Sequence, residues 1–210
     1  MSKKEMPMAA LNDFLPEGSF EAVSGFLHHY NVQLTITRAR KSVLGDYRNA
    51  VAGTGHRISV NGNLNKYAFL ITLLHELAHL LTFEKFGHRV AAHGREWKNE
   101  FSGLLRQFLS TGIFPDDVRA AVMNNLHRPS ASSCADTLLT KVLHRYDARQ
   151  EGVYLIEELP DGALFMIPGG RIFRKGQVIR KRHKCAEVPG GQVWLFSPVY
   201  EVKILEHPKS

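Results

Sequence analysis

From Tyr67 to Leu81 the chain is almost continuously apolar, broken only by Thr72, His75, Glu76 and His79 and by the phenol of Tyr67. A run apolar on most of a helical circumference predicts a buried helix, here ending near Phe86-Gly87. Upstream, Phe20, Val23, Phe26 and Leu27 recur at helical spacing, predicting a first helix over Leu11 to Tyr30, with Pro16-Glu17-Gly18-Ser19 as its start signal. Val32 to Thr37 alternates apolar and polar, as a half-buried strand does. His56 to Val60 reads as a second strand, closed by Asn61-Gly62-Asn63, while Gly45 to Arg48 and Gly53-Thr54-Gly55 carry turn chemistry. Trp97, Phe101, Leu104, Leu105 and Phe108 form the stripe of a helix from Gly94 to Leu109. Pro115-Asp116-Asp117 opens a shorter helix to about His127, and Ser132-Ser133 is placed to cap one through Tyr146.

After Asp147 the pattern changes to short strands: 153–157, 163–167, 171–173, 177–180, 185–188, 193–196 and 199–205. The turns Pro160-Asp161-Gly162, Pro168-Gly169-Gly170 and Pro189-Gly190-Gly191 separate several of them. Strands at this spacing predict a small antiparallel barrel or curled sheet. The expected fold class is α+β. Residues 1–130 form a mainly helical domain with a small sheet, and residues 131–210 form a helix plus a small β-rich, barrel-like domain.

Composition adds exclusions. At 210 residues, 44% hydrophobic and 22% charged, the chain has the make-up of a globular protein. No uncharged run approaches the roughly 18–20 residues that span a bilayer, so no membrane partner is expected. Met1 to Pro7 holds two lysines with no apolar region behind them, so no signal peptide is expected and the cytoplasm is the default compartment. Cys134 and Cys185 are far apart and suggest neither a disulfide framework nor a second metal site.

The chemistry lies inside the apolar helix, at His75-Glu76-Leu77-Ala78-His79. Residues i and i+4 share one helical face, so two imidazoles at this spacing can hold one zinc ion (Zn2+), with Glu76 able to reach a zinc-activated water as general base. Burying two histidines and a carboxylate without partners is costly, and a metal ion removes that cost. A catalytic zinc needs a third protein ligand and an open position. Thr82 and Lys85 stand where a metzincin has glycine and histidine, which excludes that class. The remaining choices are His93, Glu96, Glu100 and His88. His93 is favoured, because Gly94 lets the backbone approach closely and the following helix can hold it rigidly. No specific oxyanion donor is identified; Tyr47, His88 and Arg95 are the nearest choices.

The segments Leu73 to His79 and His93-Gly94-Arg95-Glu96-Trp97 together resemble the SprT-like metalloproteases, the family that includes the Spartan DNA–protein crosslink protease. Thr37 to Arg48 and Ile58-Ser59-Val60-Asn61 are similar to that family's segments ahead of the metal helix, and the resemblance covers roughly residues 15–110. It implies a zincin-like metalloprotease domain with His75, His79 and His93 as ligands of one zinc ion and Glu76 as the catalytic carboxylate. It also implies protein substrates that are DNA-associated or DNA-crosslinked, with DNA as the activity switch. Many members end in a Cys-rich zinc ribbon, which two distant cysteines cannot build.

Charge is consistent with a nucleic-acid partner. The net charge is +7, and Arg38, Arg40, Lys41, Arg48 and Arg57 face only Asp46 in their span. Arg171, Arg174, Lys175, Arg180, Lys181, Arg182 and Lys184 have no acidic residue among them. Such patches suit single-stranded DNA or nucleoprotein and would place the protein at the nucleoid. Phe173 and Trp194 are either stacking platforms or core residues. The alternative function is a zinc-containing nucleic-acid-binding module with little or no hydrolysis. The retained Glu76 speaks against it, since a structural site has no need of that carboxylate.

Overall fold

The computed structural model describes residues 8–40, 43–51, 53–126, 137–148 and 151–206. The chain divides into two compact units, Met1–Asp147 and Ala148–Ser210. The architecture is α+β, with five α-helices and two sheets among the described residues.

In the first unit, the expected first helix is interrupted. Met8–Phe14 is a 3-10 helix and α1 runs Phe20–His29. Pro16 disfavours helical geometry at Leu15, and the turn after it closes on itself. Ser19 donates its N–H and its hydroxyl to the Pro16 carbonyl, while Gly18 takes φ +80°. Three strands follow: β1 (Val32–Thr37), β2 (Gly45–Arg48) and β3 (His56–Asn61). β3 is central, parallel to β1 and antiparallel to β2. Gly45–Arg48 is therefore an edge strand, not the turn expected of it. Four residues are too few to show a period, and its ladder is supplied by a distant partner, with Tyr47 opposite Ile58.

α2 (Lys66–Phe86) is buried on nearly every side, with Phe69 through Ala78 all inaccessible or almost so. It packs on β2, β3 and α3 (Arg95–Leu109), whose apolar stripe is the one read from the sequence. The Asn65 side chain caps α2 by accepting from the N–H groups of Tyr67 and Ala68. Its amide nitrogen donates to the Leu143 carbonyl at 2.9 Å and to Asp147 Oδ1 at 2.6 Å. α4 (Asp116–Leu126) packs against α5 (Thr137–His144), and Leu139, Val142 and Leu143 of α5 enter the same core as α2. The first unit thus extends to Asp147 rather than ending at residue 130. α5 has its apolar face and the Leu143 carbonyl bound in the helical unit, not with the strands. Ser132, Ser133 and Cys134 lie outside the described residues.

The second unit is a six-stranded antiparallel sheet: β4 (Val153–Leu155), β5 (Leu164–Met166), β6 (Ile172–Ile179), β7 (Arg182–Val188), β8 (Val193–Phe196) and β9 (Glu201–Glu206). Its order is β4-β9-β5-β6-β7-β8, which makes β4 and β8 its two edges: the sheet is open, not a closed barrel. The two strands expected at 171–173 and 177–180 are one strand with a register shift between Lys175 and Val178. At Gly176, inside that shift, an added Cβ would meet the Lys184 carbonyl oxygen at 2.6 Å, so the crossing demands glycine. Phe165, Phe173 and Phe196 are the large residues of its own core, with Cys185 buried beside them. Among the described residues, no helix is long and apolar enough to cross a membrane.

Candidate metal centre

α2 carries His75 and His79 one turn apart, and His93 stands two residues before α3. The three rings converge: Nε2 of His75 is 3.3 Å from Nε2 of His79 and 3.3 Å from Nε2 of His93. One ligand atom from each of the three lies within 4.8 Å of the others, a set that could hold a metal ion. Zinc–imidazole bonds of about 2.0–2.1 Å in tetrahedral geometry separate the nitrogens by about 3.3 Å, so the donor set fits that cation in both type and spacing.

Electrostatics agree with the spacing. Burial pushes the His75 imidazole down to about 3, with His79 and His93 adding to the effect. His79 falls to about 4, from burial and then from His93. His93 is also lowered, by burial first and Lys98 second. All three rings are therefore neutral at neutral pH and present lone pairs, as metal ligation requires.

Glu76 is buried, at 6% exposure, and its carboxyl is raised to about 8. Burial is the largest cause, Asp46 raises it further, and Arg40 opposes both. On a carboxyl so raised, a cation held by the three imidazoles would favour the ionised form that a general base requires.

The other residues considered as a third ligand lie elsewhere. His88 is exposed and packs on Phe83, with ring centroids 5.1 Å apart. Glu96 pairs with Arg95, and Glu100 accepts from Lys85 at 2.7 Å.

Of three further features of this site, the sequence pointed only to Tyr47, and to it only as an oxyanion-donor choice. Trp97 underlies the site. Its fully buried ring lies 4.7 Å from His75, 5.3 Å from His79 and 4.7 Å from His93, centroid to centroid, and Phe101 stacks beneath it at 5.0 Å. Its place on the helical stripe marked it for the core but not for this contact. The second feature is a chain running out from Tyr47, whose ring is parallel to His79 at 6.3 Å. The Ala50 N–H donates to His56 Nδ1, which fixes that nitrogen as an acceptor, so the Tyr47 hydroxyl donates to it as well, at 2.9 Å. The His56 Nε2–H is left to face Glu84 at 3.2 Å. Tyr47 is raised by burial and then by Glu84, so it stays protonated.

Third, Arg40 is bound into the sheet. It donates to Asn61 Oδ1 at 2.8 Å, Ser59 Oγ at 3.0 Å and the Leu44 carbonyl at 3.3 Å. Of its neighbours, Lys41 lies outside the described residues, and Arg48 pairs with Asp46 at 3.0 Å. In the second unit Phe173 is fully buried, while Trp194 is 40% exposed beneath the Arg171 guanidinium at 4.3 Å. Arg171 also makes two 2.7 Å bonds to Glu187.

The SprT-like family model matches residues 11–109, so the family resemblance is borne out over that stretch. Within the chain, 88 residues are 38% identical to protein SprT of Pectobacterium carotovorum subsp. carotovorum (strain PC1). The match covers 38% of this chain and 51% of that protein, so the chain spans about half the length of the curated relative it matches. No solved structure matches the chain.

Proposed function

We propose that the first unit is a zincin-like, zinc-dependent metalloendopeptidase. The observation that carries this reading is the convergence of three neutral imidazoles at zinc spacing, with Glu76 next in the chain to His75. His75, His79 and His93 would hold the ion, three protein ligands being the number that catalytic rather than structural zinc sites use. A zinc ion bound there would supply Lewis acidity toward a carbonyl and a water. Glu76 takes the proton from the attacking water onto its carboxylate and delivers it to the departing amine nitrogen. Trp97 and Phe101 keep solvent from the rear of the imidazoles and fix their orientation.

The substrates we propose are DNA-associated or DNA-crosslinked proteins. Family resemblance and basic surface support this. Arg40 serves the sheet, and Arg48 and Arg171 are paired with Asp46 and Glu187, so phosphate contact falls to Arg38, Arg174 and the 180–184 run. The test is cleavage of a DNA-binding protein with and without single-stranded DNA, at rising salt. Cleavage stimulated by DNA and suppressed by salt supports the reading. DNA-independent cleavage leaves a zinc peptidase and removes the DNA part.

A further inference from the structure

Gly45 opens the edge strand β2 directly against Glu76. A Cβ at position 45 would lie 2.4 Å from Glu76 Oε1 and 2.9 Å from both Cδ and Cγ. Real Cβ atoms do not approach that closely, so the whole outer half of the Glu76 side chain would have to leave its place. Gly45 is not in a left-handed conformation. Space is therefore the reason for glycine at this position, rather than backbone freedom.

The backbone at Gly45 is also prevented from retreating. Gly45 pairs with Val60 in the sheet. The Asn61 N–H donates to the Leu44 carbonyl at 2.9 Å, and its side-chain amide donates to the Val43 and Arg40 carbonyls at 3.1 and 3.2 Å. Arg40 returns a bond to Asn61 Oδ1 and another to the Leu44 carbonyl. Asn61 is 1% exposed, so this clamp is internal.

We infer that Gly45, held by the Asn61–Arg40 clamp, is a positioning residue that seats the Glu76 carboxylate from a strand distant in sequence. This rests on the proposed role of Glu76, but the contact can be tested apart from it. The experiment is Gly45→Ala in the full chain, read by zinc content, by kcat and KM, and by a crystal structure of the metal-free variant. The expected result is unchanged zinc content, KM within about twofold and kcat lower by roughly 100-fold, the scale of a 1 Å misplacement. The structure should show the Glu76 carboxylate displaced and the three imidazoles in place. A Glu76 side chain unmoved in that structure, or a kcat within twofold of wild type, would overturn the inference. If Gly45→Ala alone does not fold, Gly45→Ala in a Glu76→Ala background decides. Recovery of a folded protein there supports the contact, and failure there too refutes it. If the wild type itself proves inactive, the proposed function falls, while the structural arm still settles whether Gly45 seats Glu76.

Discussion

Nε2 of His93 lies 3.3 Å from Nε2 of His75, although eighteen positions separate them in the chain. The helix supplies the His75–His79 pair by its own periodicity, but His93 arrives only because α3 packs on α2 through Trp97. His93→Ala is therefore expected to lower zinc affinity by at least about 100-fold while the fold persists. Glu96→Gln and Glu100→Gln should leave it within a fewfold. Zinc titration of the three variants distinguishes these outcomes, and a loss confined to either glutamate variant would reassign the third ligand.

Trp97 makes the second prediction. Its Nε1 is buried without a hydrogen-bond partner among the described residues. Trp97→Phe gives up ring volume but no protein hydrogen bond, whereas Trp97→Ala opens a cavity beneath three imidazoles. The alanine variant should lose about 3–5 kcal/mol of stability and the phenylalanine variant clearly less. Denaturant unfolding of the metal-free proteins measures both.

Asn65 ties the start of α2 to the end of α5. Asn65→Ala removes the cap of α2 and the amide bonds to the Leu143 carbonyl and Asp147, although that carbonyl keeps the Tyr146 N–H at 3.0 Å. The expected cost is about 2 kcal/mol, a fall in Tm of roughly 4–8 °C. Asn65→Asp keeps the cap acceptor but sets a carboxylate against Asp147, so it should not restore wild-type stability.

The pH dependence of the metal-free protein follows from the site. With His75 at about 3 and His79 at about 4 when folded, the unfolded chain binds more protons below pH 6.5, so stability falls as pH drops from 6.5. Glu76, at about 8, acts oppositely. The folded chain keeps a proton that the unfolded chain releases above about 4.5, so stability falls as pH rises towards 8. Below 6.5 the two histidines outweigh the one carboxyl, and above it Glu76 acts alone. The site's contribution should peak near pH 6.5. In Glu76→Gln the decline above that pH should flatten, which a Tm series in chelator would show.

Local pattern revealed α2 and α3 because each is long and strongly marked, one by continuous apolarity and the other by a stripe. The i, i+4 histidines were readable for the same reason. β2 was not, since Gly45 to Arg48 owes its strand conformation to β3 and carries glycine for the sake of Glu76, thirty-one positions away. Nor was the place of α5, which depends on Asn65 reaching Leu143. Arg40 read as a surface charge because sequence cannot show that Asn61, Ser59 and Leu44 surround it. An open sheet and a closed barrel share the same strand spacing, so the second unit's closure was also beyond local pattern.

The most direct measurement is proteolysis of a DNA-binding protein by wild type and by Glu76→Gln at matched zinc content. The proposed chemistry predicts hydrolysis by the wild type and a loss of at least about 100-fold in the variant, the lower end of general-base contributions, with zinc retained in both. Equal cleavage by the two proteins would contradict the role of Glu76. No cleavage by either, with zinc bound and DNA retained, would make the chain a zinc-containing nucleic-acid-binding module instead.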